Sequence, residues 1–140
     1  MNSLQDNLPT IPIFSFLGRD EITAVQSLFV ESTHQKGEYI CREGDEGDTF
    51  HIILDGELEV SVGHDDSTRV LSILKKGDFF GEMALLDGAP RSADITALGE
   101  VTVMVIARAA FSKLLRSEPQ IAQVLLRTLA GRLRAAQKQF

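Results

Sequence analysis

Glu82 and Arg91 carry opposite charges and flank the apolar middle of the stretch FGEMALLDGAPRSAD, which runs from Phe80 to Asp94. The run GEMALL is good helix-forming sequence, and Asp87-Gly88 stops it, so a helix of one to two turns is predicted to start at Gly81-Glu82. A helix start presents unpaired backbone N–H groups and the positive end of the helix dipole, which together favour an anion. Gly81 has no side chain, so a ligand can approach its backbone closely. Pro90 stiffens the exit and gives Arg91 a defined direction. A guanidinium makes paired, charge-assisted hydrogen bonds to a phosphate, whereas a carboxylate accepts hydrogen bonds from hydroxyls. Acid, amides and arginine in this order suit a receptor for a sugar phosphate or a nucleotide. They also suit a buried Glu–Arg pair that only staples the loop, and spacing alone leaves both readings open.

The elements that must position these residues can be read from periodicity. Residues 1–17 place Pro9 and Pro12 among Leu8, Ile11, Ile13, Phe14 and Phe16, an arm too apolar to be a free linker. RDEITAVQSLFV sets Ile22, Val25, Leu28 and Phe29 at helical spacing, with Asp20 and Glu21 in the first turn, where acids are favoured. From about 30 to 107 the runs EYICR, TFHIIL, ELEVSVG, TRVLSIL, ADITAL and VTVMVIA are rich in β-branched residues and alternate with turn signals. Asp55-Gly56 marks a hairpin. After Val105 the helical period returns, first with Phe111, Leu114 and Leu115 on one face. A long amphipathic helix follows, with Ser117 and Gln120 as a capping box and Pro119 in the first turn. Its expected apolar stripe is Ile121, Val124, Leu125, Leu129, Leu133 and Ala136.

Composition narrows the function. The chain has 140 residues, enough for one domain with one real core, and a net charge of −6. An acidic chain lacks the basic face that phosphate backbones require, which argues against direct DNA binding. One cysteine, Cys41, rules out a disulfide framework, a cysteine zinc site and a cysteine-held iron–sulfur cluster. No apolar run approaches a membrane span and no signal peptide is evident, so a cytoplasmic location is expected. His34, His51 and His64 form no H-x-H or H-x-x-x-H pair, which argues against a metal enzyme on the same all-β layout. The acids of EGDEGD read as solvated turn residues, and Arg127, Arg134 and Lys138 as a solvated helix face.

The stretch FGEMALLDGAPRSA closely resembles the phosphate-binding cassette of cyclic nucleotide-binding domains, with F-G-E, A-L and R-S-A in order. KGEYICREGDEGDTFHIILDGELEV is similar to the family's β-roll, and LKKGDFFGE leads into the cassette as it does there. The resemblance covers roughly residues 13–138. It implies a mainly β fold, an antiparallel, jelly-roll-like β-roll with an N-terminal helix, a short phosphate-binding helix and C-terminal helices. By motif match Glu82 takes the ribose 2′-hydroxyl. The amides of Gly81 and of the following turn, Met83 and Ala84, frame the ribose and phosphate. Arg91 neutralises the cyclic phosphate with Ser92 and Ala93. Leu74 and Phe80 line the pocket, and Arg132, Ala136 and Gln137 are the candidates for base contacts from the last helix.

The expected organisation is an arm over 1–17 and a nucleotide-binding domain over 18–140, with the roll at about 30–107 and the C-terminal helices at about 108–139. The expected function is a non-catalytic sensor for cyclic AMP, with cyclic GMP the alternative ligand and no cofactor or metal. Its expected partner is a further effector domain or a second copy of the chain. A degenerate protein-interaction module and a β-barrel enzyme are the competing classes. The latter has no nucleophile, base and orienter that can be assembled. Two finer expectations concern particular residues. Asp94 should face outward, since a second carboxylate at a phosphate would weaken binding. The segment after Gly131, anchored by Leu133 and Ala136, should be loosely held and close over the base.

Overall fold

The computed structural model describes residues 11, 14–15, 17–63, 67–81, 88 and 90–137. Glu82, Met83 and Ala84, the short helix expected there, Lys138 and the first ten residues lie outside the described residues, as does the side chain of Ala136.

Helix α1 spans Arg19–Gln26. Its start is closed by the Glu21 carboxylate, which accepts the Gly18 amide at 3.1 Å. Among the described residues eight strands follow: β1 (Val30–His34), β2 (Tyr39–Cys41), β3 (Thr49–Asp55), β4 (Leu58–Val62), β5 (Arg69–Leu74), β6 (Phe79–Phe80), β7 (Asp94–Ala97) and β8 (Val101–Ala107). Two helices, α2 (Arg108–Ser117) and α3 (Pro119–Gln137), end the described chain. No described helix is long and apolar enough to cross a membrane.

The strands form two four-stranded antiparallel sheets, ordered β1-β8-β3-β6 and β2-β7-β4-β5. Asp55-Gly56 turns the chain from β3 into β4, but the expected hairpin does not form: β3 pairs with β6 and β8, and β4 with β5 and β7, so the turn carries the chain from one sheet to the other. Gly56 has φ +92°, and a Cβ there would lie 2.6 Å from the Glu100 carbonyl oxygen, so both conformation and space require glycine.

Period-two alternation along β3 divides the apolar residues between two cores. Phe50, Ile52 and Leu54 join Phe79, Met104 and Ile106 under the helices, where Ile22, Val25, Phe111, Leu114, Ile121 and Leu125 cover them. The stacked rings of Phe50 and Phe111, 4.6 Å apart, join β3 to α2. Ile11, Phe14 and Leu17 are buried in the same cluster, so the described part of the arm packs on the domain. Each such side chain is worth roughly 1.5–3 kcal/mol when taken out of water. Between the sheets lies the second cluster, with Cys41, Ile53, Leu58, Leu74, Phe80, Ile95, Val101 and Val103.

Three further sequence expectations need correcting. Ser117 does not cap α3: it is the last residue of α2, and its hydroxyl donates to the Leu114 carbonyl at 3.2 Å. Glu118 makes the junction instead, its carbonyl accepting the Ile121 amide at 3.0 Å, with Pro119 in the first turn as expected. Leu133 is not part of the buried stripe; it is 59% exposed, because the buried face of α3 runs through Ile121 and Leu125 and turns Leu133 outward. Asp94 does not face solvent. It is 4% exposed, and its Oδ1 accepts the Glu43 amide at 2.7 Å.

Candidate functional site

Arg91 follows Pro90 and enters the strand segment that becomes β7. Its backbone is clamped by the turn at residues 42–45: the Arg91 amide donates to Asp45 O at 2.8 Å, and the Gly44 amide donates to Arg91 O at 2.9 Å. The turn is braced by Asp45 Oδ2, which accepts the Arg42 amide at 3.2 Å, and by the Asp94 bond to Glu43. The acidic side chains of this turn are exposed, as expected, while its backbone and Asp94 fix the arginine.

Arg91 is 9% exposed. Nη2 donates to the Thr49 carbonyl at 2.9 Å and to the Thr49 hydroxyl oxygen at 3.1 Å. Nη1 is buried and has no hydrogen-bond partner among the described residues. No described carboxylate pairs with the side chain. A buried cation held by one edge, with its other edge unsatisfied, is costly until an anion meets it. Gly81 abuts this nitrogen: with φ +93°, a Cβ there would lie 2.5 Å from Nη1 and 2.6 Å from the Thr49 oxygen.

The remaining predicted site residues are placed as follows. Leu74 and Phe80 are buried between the sheets, on the same side of the roll as Arg91's partner Thr49. Ala93 is buried and Ser92 exposed. On α3, Gln137 is exposed. Arg132 is half-buried, and it lies against β6. Its Nη2 donates to Phe79 O at 2.9 Å, and its guanidinium carbon sits 4.5 Å from the Phe79 ring centroid. Arg132 thus joins the segment after Gly131 to the roll at Phe79.

Thr49 and His51 were not among the expected site residues. Both lie on the interior-facing side of β3, and only the i, i+2 alternation of TFHIIL hinted at their position. Burial, and after it the charge of Arg91, push the His51 imidazole down to about 3. Cys41, also near Arg91, has its thiol pushed up by burial, which makes it an inert packing residue. No group of His, Cys, Asp and Glu among the described residues could hold a metal ion.

Residues 31–118 match the family model described as the cyclic nucleotide-binding domain. The chain belongs to that family. It is 36% identical over 120 residues to a cGMP-dependent protein kinase of Drosophila melanogaster (isozyme 2, forms cD5/T2), covering 83% of this chain and 13% of the kinase. Among solved structures it is similar to the Thermus thermophilus catabolite activator protein, with a TM-score of 0.83 and 31% identity over 91% of this chain and 61% of that one. It also resembles the regulatory domain of Toxoplasma gondii protein kinase A crystallised with cAMP, with a TM-score of 0.69 and 31% identity over 79% of this chain and 42% of that one. The chain thus spans 13% of the length of the Drosophila kinase, so it corresponds to one part of that relative.

Proposed function

We propose that this chain is a non-catalytic sensor that binds a 3′,5′-cyclic nucleotide, with cyclic AMP the preferred ligand, and passes binding on through α3. The observation that carries this reading is Arg91: buried, held at Nη2 by Thr49, and with no partner for Nη1 among the described residues. A cyclic phosphate supplies one delocalised negative charge to that edge. Gly81 sets no side chain against Nη1, from which a Cβ would lie 2.5 Å. Glu82 follows in sequence and is assigned the ribose 2′-hydroxyl, with the amides of Met83, Ala84 and Ala93 and the hydroxyl of Ser92 completing the cradle. Leu74 and Phe80 supply apolar wall. Gln137 and the Ala136 position are assigned to the base side.

Transmission follows from chain order. Gly81 touches Arg91, and Phe79, two residues earlier, touches Arg132 on α3. On this reading a change at the phosphate edge would be passed to α3 through Phe79, Phe80 and Gly81. Partners beyond the nucleotide, an effector domain or a second copy, would read the position of α3.

Calorimetric titration with cyclic AMP and cyclic GMP tests the assignment. Cyclic AMP should bind more tightly. Arg91→Ala should weaken binding well over tenfold, since removing one partner of a buried charged pair costs roughly 2–5 kcal/mol. Unchanged affinity in that variant would remove Arg91 from the site.

A further inference from the structure

A second buried nitrogen lies in the same corner as Arg91. His51 is 6% exposed, and its ring stacks on Phe80 with centroids 4.5 Å apart and planes 5° from parallel. Its Nδ1 is buried with no hydrogen-bond partner among the described residues. Only two described side-chain atoms are in this condition, His51 Nδ1 and Arg91 Nη1. Buried polar groups are nearly always satisfied, and an exception calls for an explanation.

The two orphans share their surroundings. Thr49, two residues before His51 and on the same face of β3, holds Arg91 Nη2. Phe80, stacked on His51, is followed by Gly81, which abuts Arg91 Nη1. Strands β3 and β6, paired at His51 and Phe80, therefore bring both nitrogens to one end of the roll interior.

We propose that His51 is a further recognition residue of the nucleotide site, its Nδ1–H donating to the same anionic group that Arg91 Nη1 engages. This rests on the reading of Arg91 as the phosphate-binding residue. The low imidazole pKa keeps the ring neutral at physiological pH, so it carries one N–H, and an anionic oxygen fixes that hydrogen on Nδ1. A neutral donor suits a site where Arg91 already supplies the charge, because a second buried cation would add its own desolvation cost. Stacking on Phe80 fixes the ring plane, and with it the direction of the N–H. Both nitrogens are closed to bulk water, so a hydrogen bond made there is little screened.

Calorimetry with cyclic AMP on the full chain tests this, using His51→Phe and His51→Asn. Phenylalanine keeps a stacked ring and removes the nitrogen. Asparagine loses the ring but offers an amide N–H close to the position of Nδ1. The expected result is at least a tenfold loss for the Phe variant, equivalent to about 1.4 kcal/mol. The Asn variant should stay within about threefold of wild type, since it keeps the donor. Melting curves establish that both variants fold. Wild-type affinity in the Phe variant with a loss in the Asn variant would make His51 a stacking residue and overturn the proposal. If both lose affinity, ring ¹⁵N NMR of the wild type decides. Nδ1 should be the protonated nitrogen and should shift on titration with cyclic AMP; an unmoved Nδ1 resonance overturns the assignment. Failure of the wild-type chain to bind either nucleotide would instead overturn the reading of Arg91.

Discussion

Arg132 on α3 and Phe79 on β6 are joined twice, by a 2.9 Å hydrogen bond from Nη2 to the Phe79 carbonyl and by the guanidinium lying over the Phe79 ring. Together these contacts are worth about 1–2 kcal/mol. Beside them Leu133 and Arg134 are exposed, and a Cβ at Gly131 would meet nothing within 4 Å. Arg132→Ala should therefore release the end of α3. Hydrogen exchange at residues 131–137 should become about tenfold faster, while amides of β3 and β8 stay protected. Unchanged exchange at 131–137 would mean that other contacts hold the helix.

Arg91→Lys separates charge from shape. A single ammonium has no second nitrogen with which to hold Thr49 and meet an anion along a fixed edge. Affinity for cyclic AMP should fall more than about tenfold although the charge is kept. A lysine variant of wild-type affinity would show that charge alone is recognised.

Gly81→Ala places a methyl group 2.5 Å from Arg91 Nη1 on a backbone of φ +93°. The conformation alone costs about 1 kcal/mol, and the clash adds to it. Both the urea midpoint and the affinity for cyclic AMP should drop. A variant that lost stability yet bound normally would dissociate the glycine from nucleotide binding.

The imidazole of His51 gives the fold a pH signature. Its pKa in the fold is about 3, against an ordinary value of 6.5. Below the ordinary value the unfolded chain takes up a proton that the folded chain refuses until about pH 3, so stability falls on acidification through that window. The limiting slope is about 1.4 kcal/mol per pH unit. Between pH 6 and 5 the wild type should lose about 1 kcal/mol more than His51→Phe in urea unfolding. Parallel profiles for the two proteins would show that His51 is protonated alike in both states.

Asp94→Ala should cost about 1.5–3 kcal/mol, because it strips the Glu43 amide of a charged acceptor and loosens the turn that clamps Arg91. Asp94→Asn keeps an acceptor and should cost less. Equal losses in chemical denaturation would point to the negative charge and not to the hydrogen bond.

Much of this architecture was legible because its signals are local. The β-branched runs, the Asp55-Gly56 turn and the helical spacing of Phe111 and Leu114 each declare themselves within a few residues, and the structure places an element at each. The strand VESTH, which forms β1, carries no clear alternation and is fixed by pairing with β8. What the sequence hid is held across distance. Asp94 reads as a solvent carboxylate until the Glu43 amide, 51 positions away, is brought to it. Arg132 reads as a candidate base contact, and nothing along the chain announces its bond to Phe79, 53 positions away. His51 reads as an isolated histidine because stacking on Phe80 and proximity to Arg91 arise from strand pairing, not from spacing along the chain. Ser117 misled for a local reason: the S-x-x-Q pattern was present, but α2 had not yet ended there.

Strand β3 faces two ways, with Phe50, Ile52 and Leu54 toward the helices and Thr49, His51 and Ile53 toward the roll interior. This gives the segment an uneven tolerance to genetic change. A point substitution alters one face only. A single-codon insertion or deletion would reverse the phase of every residue beyond it, driving the polar pair into the helical core and phenylalanine into the corner beside Arg91. Length variation among descendants of this chain should therefore be absent between Thr49 and Asp55. It should be permitted near the exposed edge strand β5, where Arg69 to Ile73 all lie open to water.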